Sequence, residues 1–105
     1  MFDTLTHYRR MAEAQEVALM ARTTALAARI DPPFTPRKRQ AIREALAACT
    51  DSFAQLSRIW HAQLMSPESR SQPLHHPDRL HFQALQGRMR MWGQTCDLLA
   101  AVLAR

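Results

Sequence analysis

Apolar residues recur at alternating spacings of three and four through the middle of the chain, and this pattern constrains the fold most. They are Ile42, Leu46, Cys49, Phe53, Leu56 and Trp60. Such spacing is typical of a helix that packs along its length against other helices. Thr35 can cap this helix, and Pro36 suits its first position, where a missing N–H costs nothing. The sequence therefore predicts a long helix over residues 36–65.

A second seam of the same kind lies near the C-terminus. It consists of Phe82, Leu85, Met89, Trp92, Cys96, Leu99 and Leu103. When the two seams are paired antiparallel, one register aligns every layer and brings Cys49 level with Cys96. These two thiols are then either small buried apolar groups or a redox pair. The sequence predicts this helix over residues 78–104.

The N-terminal third is also helical in pattern, with two stripes. The first contains Leu5, Tyr8, Ala12, Leu19, Leu26 and Ile30, and the second contains Ala14, Ala18, Ala21, Ala25 and Ala28. The alanine stripe permits close approach of another helix of the same chain, or alternatively self-association. Pro32 and Pro33 then break the helix. A helix over residues 3–30 is predicted, followed by a tight reversal.

These elements predict an all-α fold. With two glycines and few β-branched residues, the composition gives no support for strands. The Ser- and Pro-rich residues 66–77 predict an exposed loop, either incidental in length or used for recognition. Residues 1–105 should form one domain, an up-down-up antiparallel three-helix bundle that self-association could complete.

The formal net charge of +5 favours acidic partners such as nucleic acid. In an up-down-up bundle, cations of all three helices collect at one pole, Arg22 and Arg105 included. The basic patch proposed from the sequence comprises Arg29, Arg37, Lys38, Arg39 and Arg43. Arg37, Lys38 and Arg39 lie in the first turn of the helix predicted over residues 36–65. The helix dipole disfavours cations there, so local stability did not select them. The patch appears in the sequence without interleaved exposed aromatic residues, and no helix-turn-helix spacing accompanies it.

All histidines fall at the opposite pole in this arrangement. They are His7, His61, His75, His76 and His81. With Asp78 they could bind a divalent metal, or they could respond to pH. No metal-binding motif accompanies them. The sequence contains no catalytic constellation and no cofactor motif, so an enzyme is not expected. With no secretory signal and no apolar run long enough to span a bilayer, a cytoplasmic location is expected.

A second line on the last helix faces away from its seam and is called the back line here. It contains Leu80, Ala84, Gly87, Met91, Leu98 and Ala101, interrupted by Thr95. An interior glycine costs about 1 kcal/mol relative to alanine, yet it allows another helix to approach closely. Either the first helix covers this line or a partner binds it. The sequence favours a protein–protein interaction module, such as an adaptor, a secretion-type chaperone or a regulatory subunit, with homodimerisation as one form. The alternative is a nucleic-acid-associated regulator.

Overall fold

The computed structural model describes residues 4–104, and within that range it contains helices and connecting segments but no strand. The helices are α1 (Thr4–Arg29), α2 (Pro36–Met65), α3 (Pro67–Arg70) and α4 (Pro77–Ala104). The all-α prediction is therefore confirmed, and α1, α2 and α4 pack together. The predicted helix start at Asp3 and the predicted cation Arg105 lie outside the described residues.

The bounds of α2 are those that its sequence signals predict. The Thr35 side chain accepts a hydrogen bond from the Lys38 backbone N–H at 3.1 Å, and Pro36 is the first helical residue. At the other end, the Ser66 N–H donates to the Gln63 carbonyl at 3.3 Å. A cap therefore satisfies backbone groups at each end of the helix that would otherwise lack partners.

The segment predicted as an irregular loop contains one helical turn, α3, so that prediction is wrong for residues 67–70. Ser66 accepts a hydrogen bond from the Ser69 N–H, and Pro67 takes the first position. Ser66-Pro67 thus repeats the start signal of Thr35-Pro36. Ser69 is buried, so this turn is folded onto the bundle.

The apolar core follows the predicted seams. Its buried members are Leu5, Ala12, Leu19, Leu26, Ile42, Cys49, Leu56, Ile59, Phe82 and Leu85. Fully burying a leucine or isoleucine side chain contributes about 1.5–3 kcal/mol, so these layers supply much of the folding free energy. Most of this core lies between α1 and α2, which share the most extensive contact of any two helices.

The fourth helix is covered along only part of its length. Its buried residues are Asp78, Phe82 and Leu85, all near its start. Further along, the seam residues Met89 and Leu103 are only partly buried. The molecule is elongated, 53 × 23 × 18 Å, and its radius of gyration of 16.5 Å exceeds the ~13 Å typical of a compact chain of this length. The C-terminal part of α4 therefore leaves one side of the molecule open.

Over the described range, none of the helices combines the length and apolar character that crossing a membrane would require.

Candidate protein-binding surface

A polar network fixes α4 beside α1. The Glu16 carboxylate accepts hydrogen bonds from Arg88 Nε and Nη2 at 2.8 and 2.9 Å. The Trp92 indole N–H donates to the same carboxylate at 2.9 Å. The hydrogen bonds from Arg88 lower the pKa of Glu16, against the raising effect of burial, and Trp92 lowers it further. The network holds α4 where its apolar seam is only partly covered.

A second polar contact joins the starts of the same two helices. Buried Asp78 accepts hydrogen bonds from Thr6 Oγ1 at 2.6 Å and from Arg9 Nη1 at 2.9 Å. Burial alone would raise the pKa of Asp78, but the hydrogen bonds from Thr6 and Arg9 outweigh it, and the pKa is lowered. Asp78 also lies in the first turn of α4, where the helix dipole favours a negative charge.

The back line is open to solvent. Met91 is 66% exposed and Leu98 is 68% exposed, and Leu80 is about half exposed. A Cβ added to Gly87 would meet no atom within 4 Å, so a neighbouring helix has room to approach there. Of the two alternatives drawn from the sequence, cover by the first helix does not occur. The partner-binding role of these residues remains a prediction.

An apolar strip on α1 is exposed as well. Here the α1 strip means Ala14, Val17, Ala21 and Ala28, which recur at helical spacing. All four are exposed, as is Met20 nearby. The alanine stripe therefore does not lie between two helices of this chain, apart from half-buried Ala18. Helices α1 and α4 thus each present apolar side chains that the chain itself does not cover.

The basic patch surrounds the start of α2. Within residues 4–104, none of Arg29, Arg37 and Arg43 forms an ion pair. Lys38 and Arg39 each lie 5.7 Å from the centre of the Phe34 ring, and Lys38 Nζ also donates to the Asp31 carbonyl.

The expectation that the patch lacks an exposed aromatic residue is wrong, because Phe34 is 38% exposed. Phe34 precedes the helix in the linker, so the helical seams gave no indication of its position.

Two clefts lie at opposite ends of the molecule. One, of about 210 Å³, lies beside the basic patch and is lined by Ile30, Phe34, Ile42 and Leu103 among others. The other, of about 380 Å³, lies near α3 and includes Trp60, Leu74 and Phe82 in its lining. The first is smaller than the ~300–1,000 Å³ usual for small-molecule sites, and neither brings together catalytic groups.

Among residues 4–104, no group of three or more His, Cys, Asp or Glu side chains is placed to hold a metal ion. His76 instead lies at the start of α4, where its Nδ1 accepts a hydrogen bond from the Asp78 N–H at 3.1 Å. Burial lowers the pKa of His81, which packs edge-on against Phe82.

Both cysteines are free thiols, with Cys49 buried and Cys96 partly buried. Burial raises the pKa of each. The neighbouring Cys49 raises the pKa of Cys96 further, which accords with the predicted shared layer.

Comparisons with known protein families, with curated proteins and with solved structures each gave no match.

Proposed function

We propose that this protein is a non-enzymatic interaction module that binds an amphipathic helix of a protein partner along the back line of α4. The single observation that carries this proposal is the exposure of that line, where Met91 and Leu98 are each about two-thirds exposed. Solvent-facing positions of a helix are usually polar, and contiguous exposed apolar residues commonly mark interaction sites. Gly87 provides the open space that a second helix needs for close approach.

The proposal includes an up-down-up arrangement of α1, α2 and α4. In support, Thr6 contacts Asp78 and Glu16 contacts Arg88, both pairs being 72 residues apart, as expected for helices running in the same direction.

Contacts between α2 and α4 follow the opposite trend. The Trp60 indole donates to the Phe82 carbonyl, whereas Phe53 lies beside Gly93. Residue numbers therefore fall along α2 as they rise along α4. Helix α2 lies on one side of the α1–α4 pair, and the exposed faces of α1 and α4 lie on the other. A further helix placed against these exposed faces would make a four-helix arrangement.

The test is the double variant Met91→Glu with Ala84→Glu. Both residues are exposed, so the melting temperature should change little, while partner capture or self-association should be lost. Met65→Glu is the matched control, since Met65 ends α2 and is 65% exposed but lies off the back line. Equal capture by the wild type and the double variant, with both folded, would refute the proposed surface. Unfolding of the double variant would show that the line belongs to the core.

The alternative function, a nucleic-acid-associated regulator, draws support from the basic patch. Arg29, Arg37 and Arg43 are exposed without an ion pair among the described residues, and Phe34 offers an aromatic surface between cations. Nucleic-acid binding through such a patch should weaken steeply with salt, because phosphate contacts release counterions. Titration of labelled single- and double-stranded probes at two salt concentrations, with Arg37→Glu and Arg43→Glu as variants, would distinguish it from helix binding.

A further inference from the structure

We infer that the helix bound along the back line is α4 of a second copy, packed antiparallel so that Met91 lies on a two-fold axis. This inference rests on the proposed function and names its partner. Closed two-fold dimers are the commonest soluble oligomers, and they require a surface that is complementary to itself. The exposed face of α4 meets this requirement in its spacing, its side-chain sizes and its area.

The spacing of the exposed face is symmetric about Met91. Val102 continues the back line on the same side of α4, and Thr95 on that side is partly buried. The face then comprises Leu80, Ala84, Gly87, Met91, Thr95, Leu98 and Val102. The successive intervals are four, three, four, four, three and four residues. This sequence of intervals is the same in both directions. An antiparallel copy therefore places a face residue opposite a face residue in every layer.

Side-chain sizes are complementary in that register. Ala84 lies opposite Leu98 of the second copy, and Gly87 lies opposite its Thr95, so each layer off the axis pairs a smaller with a larger residue, except Leu80 with Val102. Small residues facing large ones let two helices interdigitate at close distance.

Thr95 fits this apolar layer because its hydroxyl is already satisfied. Its Oγ1 donates to the Met91 carbonyl at 2.9 Å within α4. Burying a polar group costs little when its hydrogen bond is made, and the methyl group of threonine can then contact the second copy.

The α1 strip joins the same interface. Because residues of α1 and α4 that are 72 apart are level, as in Glu16 with Arg88, position 19 is level with Met91. A two-fold axis there brings the two copies of α1 together on one side of the α4 pair, with Val17 near Ala21 of the second copy. The exposed alanines permit this approach. The dimer interface would then be a four-helix bundle made of two α1 and two α4 helices.

The accessible area supports this pairing. The chain exposes 7102 Å², whereas a monomeric globular protein of 12.0 kDa is expected to expose about 6,000 Å². The excess, about 1,100 Å², is comparable to the ~800 Å² that each partner loses in a standard interface.

Arg90 gives the dimer a distinctive salt response. It is exposed and adjoins Met91, so the two Arg90 side chains would lie near the axis and repel each other. Salt screens this repulsion, and kosmotropic salts such as sulfate also strengthen apolar burial. Dimerisation should therefore strengthen at higher salt and in Arg90→Gln, the opposite of the response expected for nucleic-acid binding.

The experiment measures the mass of the purified chain in solution by sedimentation over a range of concentrations and salt. We expect a monomer–dimer equilibrium that Met91→Glu abolishes and Met65→Glu leaves unchanged. In a background with Cys49→Ala and Cys96→Ala, Met91→Cys should form an intermolecular disulfide on mild oxidation, whereas Met65→Cys should not. Sedimentation of the native chain and its Glu variants decides the question even if that background fails to fold.

Each outcome bears on a separate claim. A native chain that remains monomeric at the highest attainable concentration overturns the dimer. If that monomer still captures a protein and loses it on Met91→Glu, the proposed function stands with another partner. A dimer that persists in Met91→Glu places the interface elsewhere and overturns the inference. If Met91→Glu abolishes the dimer but Met91→Cys forms no cross-link in the folded cysteine-free background, Met91 lies away from the axis and the antiparallel register is overturned.

Discussion

Glu16 of α1 accepts two hydrogen bonds from Arg88 of α4, at 2.8 and 2.9 Å, and the same carboxylate receives the Trp92 indole N–H. The side chain of Glu16 is 15% exposed, whereas that of Arg88 is 41% exposed. The contact between α1 and α4 is the smallest among the three long helices. Because the packing between α1 and α4 is limited, this polar contact is an important part of what holds α4 beside α1.

Replacing Glu16 by Gln should destabilise the fold by about 1–2 kcal/mol, because charged hydrogen bonds are lost while the partly exposed Arg88 can still reach water. A thermal melt should show the midpoint falling by roughly 4–8 °C for each kcal/mol. Glu13→Gln is the control, since the exposed Glu13 forms its ion pair with Arg9 one turn away in the same helix. Equal effects from the two variants would mean that the Glu16 network does not hold α4.

Lowering the pH should destabilise the folded protein through protonation of Glu16, Asp78 and His81. The pKa of Glu16 and that of Asp78 are lowered in the folded state. Their stabilisation is complete above their ordinary pKa values, 4.5 and 3.8, and is lost as pH falls through the lower folded values.

Burial lowers the pKa of His81 from its ordinary 6.5, so the unfolded chain takes up this proton first and stability begins to fall below pH 6.5. Melting temperatures measured from pH 8 to pH 3 should show both steps. His81→Gln should remove the upper one only, and an unchanged upper step would assign it to another group.

Much of the fold could be predicted because its signals are local. The seam of Ile42 to Trp60, together with Thr35 and Pro36, gave the bounds of α2. Ser66 and Pro67 repeat the same start signal, so α3 could have been found by applying that rule inside the loop. The Glu16–Arg88 pair could not be predicted, because many carboxylates and guanidinium groups share helical spacing and only the packed helices select one pair. The exposure of the back line likewise depended on how far α1 extends around α4.

Alanine substitutions in the α2 seam should lower stability less at positions where the side chain is less buried. Leu56 is fully buried, so Leu56→Ala should lower stability by about 3–5 kcal/mol. Leu46 and Trp60 are only partly buried, so Leu46→Ala and Trp60→Ala should fall near 2–3 kcal/mol. Trp60→Ala also removes the indole donor of the Phe82 carbonyl. Denaturant titrations of the three variants give the order, and a Leu46 cost equal to that of Leu56 would show that α2 is more fully covered in solution.

The two thiols should react slowly in the folded protein. Burial raises the pKa of Cys49 and of Cys96, so little reactive thiolate forms near neutral pH. Because Cys49 is buried and Cys96 only partly so, iodoacetamide should modify Cys96 first, and denaturant should make the rates equal. Leu74→Cys supplies an exposed reference thiol on the same chain. Mass spectrometry of timed samples measures the order, and faster labelling of Cys49 would contradict its place in the core.

Alanine substitutions at the two glycines of α4 should distinguish effects on folding from effects on association. At Gly87 an added Cβ meets no atom within 4 Å, and φ is not positive, so Gly87→Ala should stabilise the helix by up to about 1 kcal/mol. The same methyl group would occupy the space through which a second helix approaches, so association should weaken.

Gly93→Ala is the matched control, because its new Cβ would lie 3.5 Å from Phe53 inside the chain, an ordinary contact. We therefore expect both variants to melt at a higher temperature when dilute, and only Gly87→Ala to shift the sedimentation equilibrium towards the smaller species. If Gly87→Ala associates as strongly as the wild type, close helix approach at this position plays no part in binding.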